Sequence, residues 1–288
     1  MRKVFVLIVL LAASTTAAIF AIGSGQPKDA ASSAAFENCT LPQIEIASLK
    51  NIDATDTSLI IGHAYGNPRN AQQGKVDRSL TDFLQAHSIQ FGDIYFTGDI
   101  LPSPRLEWFA DLKQEMSGYG GNIYAVPGNH DTGFSPNADH SIFMQSFGMT
   151  YPALMSKDGA NFLLIDTIEH PWAITPDAIE LAKNKAGTTD TLIILAHSIM
   201  RPSPTEIANS LDGIPDPLPD NLALIARLKT AYEKIFVISG DTGAFGNRPA
   251  IECRVYQNVT FISQGLGVDD GLILAIRDSK FFTLPLNQ

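Results

Sequence analysis

At 288 residues the chain is long enough to bury a large core, and length alone permits one domain or two. A formal net charge of -10 leaves no basic excess to neutralise a phosphate backbone, which argues against a dedicated nucleic-acid binder. Hydrophobic residues make up 45% of the chain, but part of that excess is concentrated in residues 4–22, and the remainder has the composition of an ordinary globular protein.

Arg2 and Lys3 precede the apolar run VFVLIVLLAASTTAAIFAI, which has the charged start and apolar middle of an export signal. Ala17, Ala18 and Ala21 offer cleavage sites, yet the run is also close to the roughly 20 residues that span a bilayer. A cleaved signal peptide and a retained N-terminal membrane anchor over residues 1–22 therefore both stay open, the second attaching the chain to a membrane through residues 4–22. Either one places the body outside the cytosol, in a periplasm or the extracellular space. Residues 23–35, rich in Gly, Ser and Ala, read as a flexible tether, and the folded domain is expected over residues 36–288. The only cysteines are Cys39 and Cys253, which an oxidising compartment allows to pair; two unpaired thiols are the alternative.

After the tether, apolar β-rich runs end repeatedly in polar turns containing glycine: SLIIGHAYG, GDIYFTGD, NIYAVPGNHD, NFLLIDT, TLIILAH and KIFVISGD. These read as buried strands feeding loops. Amphipathic spacing predicts helices between them over residues 75–86, 104–116, 176–185 and 221–234. Strand alternates with helix, so the fold class is α/β. Residues 201–220 contain five prolines and read as an irregular surface loop, a candidate wall for a substrate. From residue 250 onward AIECRVY, VTFISQG, LILAIRD and KFFTLPL follow one another without room for helices, which predicts antiparallel strands.

In open α/β sheets ligands bind beyond the carboxyl ends of strands, so polar residues that follow apolar runs are the first candidates. Asp99 follows IYFTG, Asn129 and His130 follow YAVPG, His197 follows LIILA, and Asp241 follows IFVISG. Carboxylate, amide and imidazole donors suit a divalent metal such as Mn²⁺, Fe or Zn²⁺. Taken singly, each residue could as well cap a helix or fix a turn. A series at matched positions favours the metal. His140 and His170 read as surface or local hydrogen-bonding residues, though His170 also lies where a substrate contact could occur.

These residues resemble the calcineurin-like metallophosphoesterases, whose blocks run D-x-H, G-D, G-N-H-[DE], H and G-H-x-H. Gly98-Asp99 looks like the second block, Gly128-Asn129-His130-Asp131 is a complete third block, and His197 matches the fourth. YPALMSKDGANFLLIDT resembles the connecting hairpin, so the resemblance covers roughly residues 58–278. It implies a four-layer α-β-β-α sandwich, a phosphate-ester substrate, and a two-metal site in which cations about 3.5–4 Å apart support an in-line displacement. It also implies roles: Asp99 bridging the metals, Asn129 and His197 on the second metal, and His130 protonating the leaving oxygen or stabilising the transferring phosphoryl group.

Two blocks depart from the pattern. His63-Ala64-Tyr65-Gly66 stands where Asp-x-His-Gly is expected, and Gly240-Asp241-Thr242-Gly243 where Gly-His-x-His is expected. One metal position keeps Asp99, Asn129 and His197, with Asp241 in place of a histidine. The other keeps Asp99, gains His63, meets Tyr65 and has no side chain at Gly243. Two functions stay open: an exported phosphoesterase with one or two divalent ions, or a metallophosphoesterase-like protein that has lost hydrolysis and binds a phosphorylated or saccharide ligand or a protein partner.

Overall fold

Apolar side chains along the central strands point alternately to two faces, and both faces are buried, which is why the sequence shows near-continuous apolar runs there. In the computed structural model, which describes residues 37–49, 54–69, 71–87, 90–133, 137–199, 218–244, 250–267 and 271–286, these strands form two sheets. The N-terminal apolar run, the tether and most of the Pro-rich stretch lie outside the described residues. Among the described residues no helix is long and apolar enough to cross a membrane.

The strands are β1 (Glu37–Asn38), β2 (Ser58–Ile61), β3 (Ile94–Thr97), β4 (Ile123–Val126), β5 (Ala153–Lys157), β6 (Ala160–Leu164), β7 (Thr191–Ala196), β8 (Lys234–Ser239), β9 (Ile251–Tyr256), β10 (Val259–Gln264), β11 (Leu272–Arg277) and β12 (Lys280–Pro285). One sheet has five strands in the order β12-β11-β2-β3-β4, and the other has seven in the order β1-β9-β10-β8-β7-β6-β5. Parallel pairing holds their centres together, through β2, β3 and β4 in one and β6, β7, β8 and β10 in the other. The helices are α1 (Ile46–Leu49), α2 (Arg78–His87), α3 (Leu106–Met116), α4 (Asn129–Thr132), α5 (Ser141–Phe147), α6 (Pro176–Asn184) and α7 (Leu218–Ala226).

Alternation sorts each strand's residues between cores. Leu59 and Ile61 of β2 face outward with Leu80 and Phe83 of α2 and Phe109 of α3, whereas Ile60 between them faces the other sheet. On β7, Leu192 and Ile194 pack against Ile179 of α6 and Ile225 of α7, while Ile193 and Leu195 point into the space between the sheets. Tyr95 of β3 stacks on Phe162 of β6 across that space, ring centroids 4.7 Å apart. The result is the four-layer α-β-β-α sandwich expected from the resemblance.

Three local expectations shift. The helix predicted over residues 221–234 is α7, which starts earlier, inside the Pro-rich stretch, and ends at Ala226. Turns then replace it: the Leu228 amide donates to the Ile225 carbonyl and the Tyr232 amide to the Leu228 carbonyl, each at 2.9 Å. Leu228 and Tyr232 keep a helix-like spacing because those turns hold both on the same apolar face. The helix predicted from residue 75 starts at Arg78, where the Asp77 carboxylate accepts the Ser79 amide at 2.8 Å. The C-terminal strands do pair as antiparallel hairpins, but β9 and β10 join one sheet and β11 and β12 the other, and β10 also runs parallel to β8.

At the edge of the larger sheet β1 pairs with β9, and beside that pairing Cys39 and Cys253 form a disulfide with Cα atoms 5.0 Å apart. The two are 214 residues apart in sequence. Restraining so long a loop in the unfolded chain contributes on the order of 3–5 kcal/mol. Replacing both cysteines by serine is expected to lower the unfolding free energy by about that amount in a urea titration. An unchanged midpoint would show that the bond does not restrain the unfolded chain.

Candidate metal centre

Six residues singled out by sequence meet where the carboxyl ends of strands from both sheets converge. β2 delivers His63, β3 delivers Asp99, and β4 leads directly into Asn129 and His130 on α4. From the larger sheet, β7 delivers His197 and β8 delivers Asp241. Two of these residues sit in the left-handed region of backbone space, His63 at φ 47° and Asp99 at φ 52°. That conformation is disfavoured for both side chains and persists where surrounding contacts impose it, a pattern concentrated at functional sites. Gly98 adopts φ 83°, and a Cβ there would lie 2.5 Å from His197 Nδ1, so the turn that presents Asp99 also makes room for the imidazole.

Asp99 is the hub and is 1% exposed. Its Oδ1 accepts the His130 backbone amide at 2.9 Å and lies 3.5 Å from His197 Nε2. Its Oδ2 has no hydrogen-bond partner and lies 3.7 Å from His63 Nε2, which has none either. Among the described residues no lysine or arginine pairs with Asp99. A buried carboxylate in that situation is strongly disfavoured unless a positive charge reaches it.

Both imidazoles are oriented by backbone carbonyls. His63 Nδ1 donates to the Leu266 carbonyl at 2.9 Å, and His197 Nδ1 to the Thr97 carbonyl at 3.1 Å. Each Nε2 lone pair therefore points inward, the arrangement that prepares histidine for a metal. For His197 the inward neighbour is Asn129 Oδ1 at 3.2 Å, an acceptor facing an acceptor, so a proton or a cation belongs between them. Asp241 Oδ1 lies 3.7 Å from the same Nε2, and its side chain is 21% exposed. His63, Asp99 and Asp241 each offer a ligand atom within 4.8 Å of the others.

Electrostatics separates the two imidazoles. Burial pushes His63 down to about 4 despite the opposing pull of Asp99, so its approach to that carboxylate is not an ion pair at neutral pH. Burial also works to lower His197, but Asp99, Asp241 and the Thr97 carbonyl outweigh it and hold that ring above its ordinary value. Asp131 is pushed up to about 7, first by burial and then by the charge of Asp99. Its carboxylate accepts the amides of Ile100 at 3.1 Å and Gly128 at 3.0 Å, which ties the Asp99 loop to the Asn129 loop. The fourth residue of the Gly-Asn-His-Asp block thus has a positioning part.

His130 is half-buried, with Nδ1 3.1 Å from the Pro102 carbonyl. Tyr65 is 2% exposed and packs between His63 and His130, ring centroids 4.3 Å and 4.9 Å away. Burial, then Asp99 and Asp241, push its phenol above its ordinary value, so it stays protonated and is a poor metal ligand. His140 pairs with Asp166 at 2.8 Å, and His170 is exposed. Sequence reasoning missed the Leu266 and Thr97 carbonyls and the buried Gln264, whose amide donates to Thr97 Oγ1 at 2.8 Å. Only the Gly265-Leu266-Gly267 turn after β10 hints at the first.

No protein-family model matches the chain, and no curated protein matches it in sequence. Among solved structures the fold is similar to that of a purple acid phosphatase from yellow lupin (Lupinus luteus) seeds, with a TM-score of 0.48 and 11% identity over 80% of this chain and 53% of that one. It is also similar to a single mutant of Vps29 from Entamoeba histolytica, with a TM-score of 0.36 and 11% identity over 78% of this chain and 88% of that one. A third similarity is to the NAD nucleotidase of Haemophilus influenzae, with a TM-score of 0.39 and 13% identity over 79% of this chain and 48% of that one. This chain spans about half the length of the lupin and Haemophilus proteins.

Proposed function

We propose that this chain, which carries the fold and the motif order of the calcineurin-like metallophosphoesterases, is an exported metal-dependent phosphoesterase. One observation carries the reading: a buried carboxylate, Asp99, with an unbonded oxygen, no lysine or arginine partner among the described residues, and two imidazole Nε2 atoms facing it. The donor set fits a divalent ion held by Asp99, Asn129, His197, Asp241 and His63, of the Mn²⁺, Fe or Zn²⁺ type. Such an ion supplies Lewis acidity, polarising a phosphoryl oxygen and making hydroxide available at neutral pH.

The protein's own groups do the rest. The His130 backbone amide fixes Asp99, while the side chain, partly exposed and held through Nδ1–H by the Pro102 carbonyl, presents Nε2, which in the imidazolium form would pass its proton to the leaving oxygen. Tyr65 packs against both neighbouring rings and limits their movement. Export through the N-terminal apolar run belongs to the same proposal, and the disulfide fits a compartment outside the reducing cytosol. The test is to strip the full chain of metal, resupply Mn²⁺, Fe or Zn²⁺, and assay p-nitrophenyl phosphate and its bis-ester. Metal-dependent turnover of either ester is expected.

A second reading has its own support in the protonated Tyr65 and the missing side chain at Gly243: a metal-holding protein that binds a phosphorylated ligand without cleaving it. Metal uptake together with complete absence of turnover would favour that reading, and failure to take up any metal would sink both.

A further inference from the structure

We infer that the centre holds a single divalent cation, with His63 supplying the imidazole that position 243 cannot. The inference rests on the metal reading above and fixes the number of ions and the source of one ligand.

The steric case is at Gly243. A Cβ there would lie 1.8 Å from the Leu266 carbonyl oxygen and 2.6 Å from His63 Nδ1. No side chain of any kind fits at 243 while the chain around Leu266 and the His63 ring stay where they are. The same Leu266 oxygen accepts His63 Nδ1–H, so one carbonyl both closes position 243 and aims His63 Nε2 at Asp99. The imidazole missing from the last block has thus been replaced from the first strand. His63 itself sits in the left-handed region, at φ 47°.

The donors sit on both oxygens of Asp99, and one ligand atom each of His63, Asp99 and Asp241 lies within 4.8 Å of the other two. His197 Nε2 is 3.5 Å from Asp99 Oδ1 and 3.7 Å from Asp241 Oδ1, and His63 Nε2 is 3.7 Å from Asp99 Oδ2. Donors on one tetrahedral ion with bonds of about 2.1 Å lie about 3.4 Å apart, so these spacings suit a shared ion. Ligand supply points the same way. Asp131 has its oxygens on backbone amides, and position 243 has no side chain with which to hold a second ion.

The test loads the metal-free full chain with Mn²⁺ and reads metal equivalents by elemental analysis together with the electron paramagnetic resonance spectrum. One equivalent with an uncoupled six-line signal is expected. His63→Ala, and His63→Asn, which tolerates the left-handed backbone, should each weaken Mn²⁺ binding at least about tenfold while the metal-free melting temperature holds. Two equivalents with an exchange-coupled spectrum would overturn this inference and leave the phosphoesterase reading standing. So would unchanged affinity in both His63 variants, whereas no bound metal at all would remove the phosphoesterase reading and this inference together.

Discussion

Asp99→Asn is expected to weaken divalent metal binding by more than about a hundredfold and to bring ester hydrolysis down to the metal-free background. Outer-sphere partners of metal ligands already account for about ten- to a hundredfold in affinity, and in the proposed centre Asp99, which faces both imidazoles, would stand inside that sphere. The substitution preserves shape. An asparagine carbonyl can still accept the His130 amide that Asp99 Oδ1 accepts now, so the loop should hold its course. With that contact kept, the metal-free protein should remain folded. Titration calorimetry with Mn²⁺ and thermal melts read these two effects separately. Metal affinity at the original level would show that Asp99 is not the hub; collapse of the metal-free fold would show that its carboxylate is structural.

His130→Ala is expected to lower kcat by about 10²–10⁴-fold with metal content unchanged. The separation follows from geometry. Asp99 is held by the backbone amide of residue 130, which the substitution keeps, whereas the imidazole touches Tyr65 and the Pro102 carbonyl and is partly exposed. In the proposed mechanism, loss of the ring therefore removes the proton donor to the leaving oxygen without dismantling the donors around Asp99. Steady-state kinetics and elemental analysis on the same preparation check this. If metal content fell in step with kcat, His130 would be a ligand or a support for one, and if kcat were unmoved, proton transfer would lie elsewhere.

The strands of the sandwich were readable because burial on both faces writes apolar runs into the sequence. Which face each residue takes was not, since Leu59 and Ile60 look alike until the two cores are seen. Likewise the C-terminal runs announce hairpins, but nothing local says that β9 and β10 extend one sheet and β11 and β12 the other. The helix expected over 221–234 ran long because Leu228 and Tyr232 keep helical spacing inside a series of turns.

Much of the candidate centre was visible as polar residues after apolar runs, and the geometry brings His63, Asp99, Asn129, His197 and Asp241 together with His130 beside them. The changed blocks were visible as well, but their consequence was not. Gly243 reads as a lost ligand in the sequence; in three dimensions it is the space beside which the His63 ring turns. The carbonyls of Leu266 and Thr97 that orient the two imidazoles leave no residue signature, because any amino acid supplies a carbonyl. Asp131 looked like part of a metal motif, yet its oxygens hold backbone amides.

Anomalous diffraction from crystals soaked in Zn²⁺ or Mn²⁺ tests the metal centre most directly. The account predicts one strong peak within bonding distance of Asp99 and of the Nε2 atoms of His63 and His197, with Asp241 beside it. Crystals saturated with metal that show no peak at Asp99, or a peak only at sites remote from it, would contradict the account.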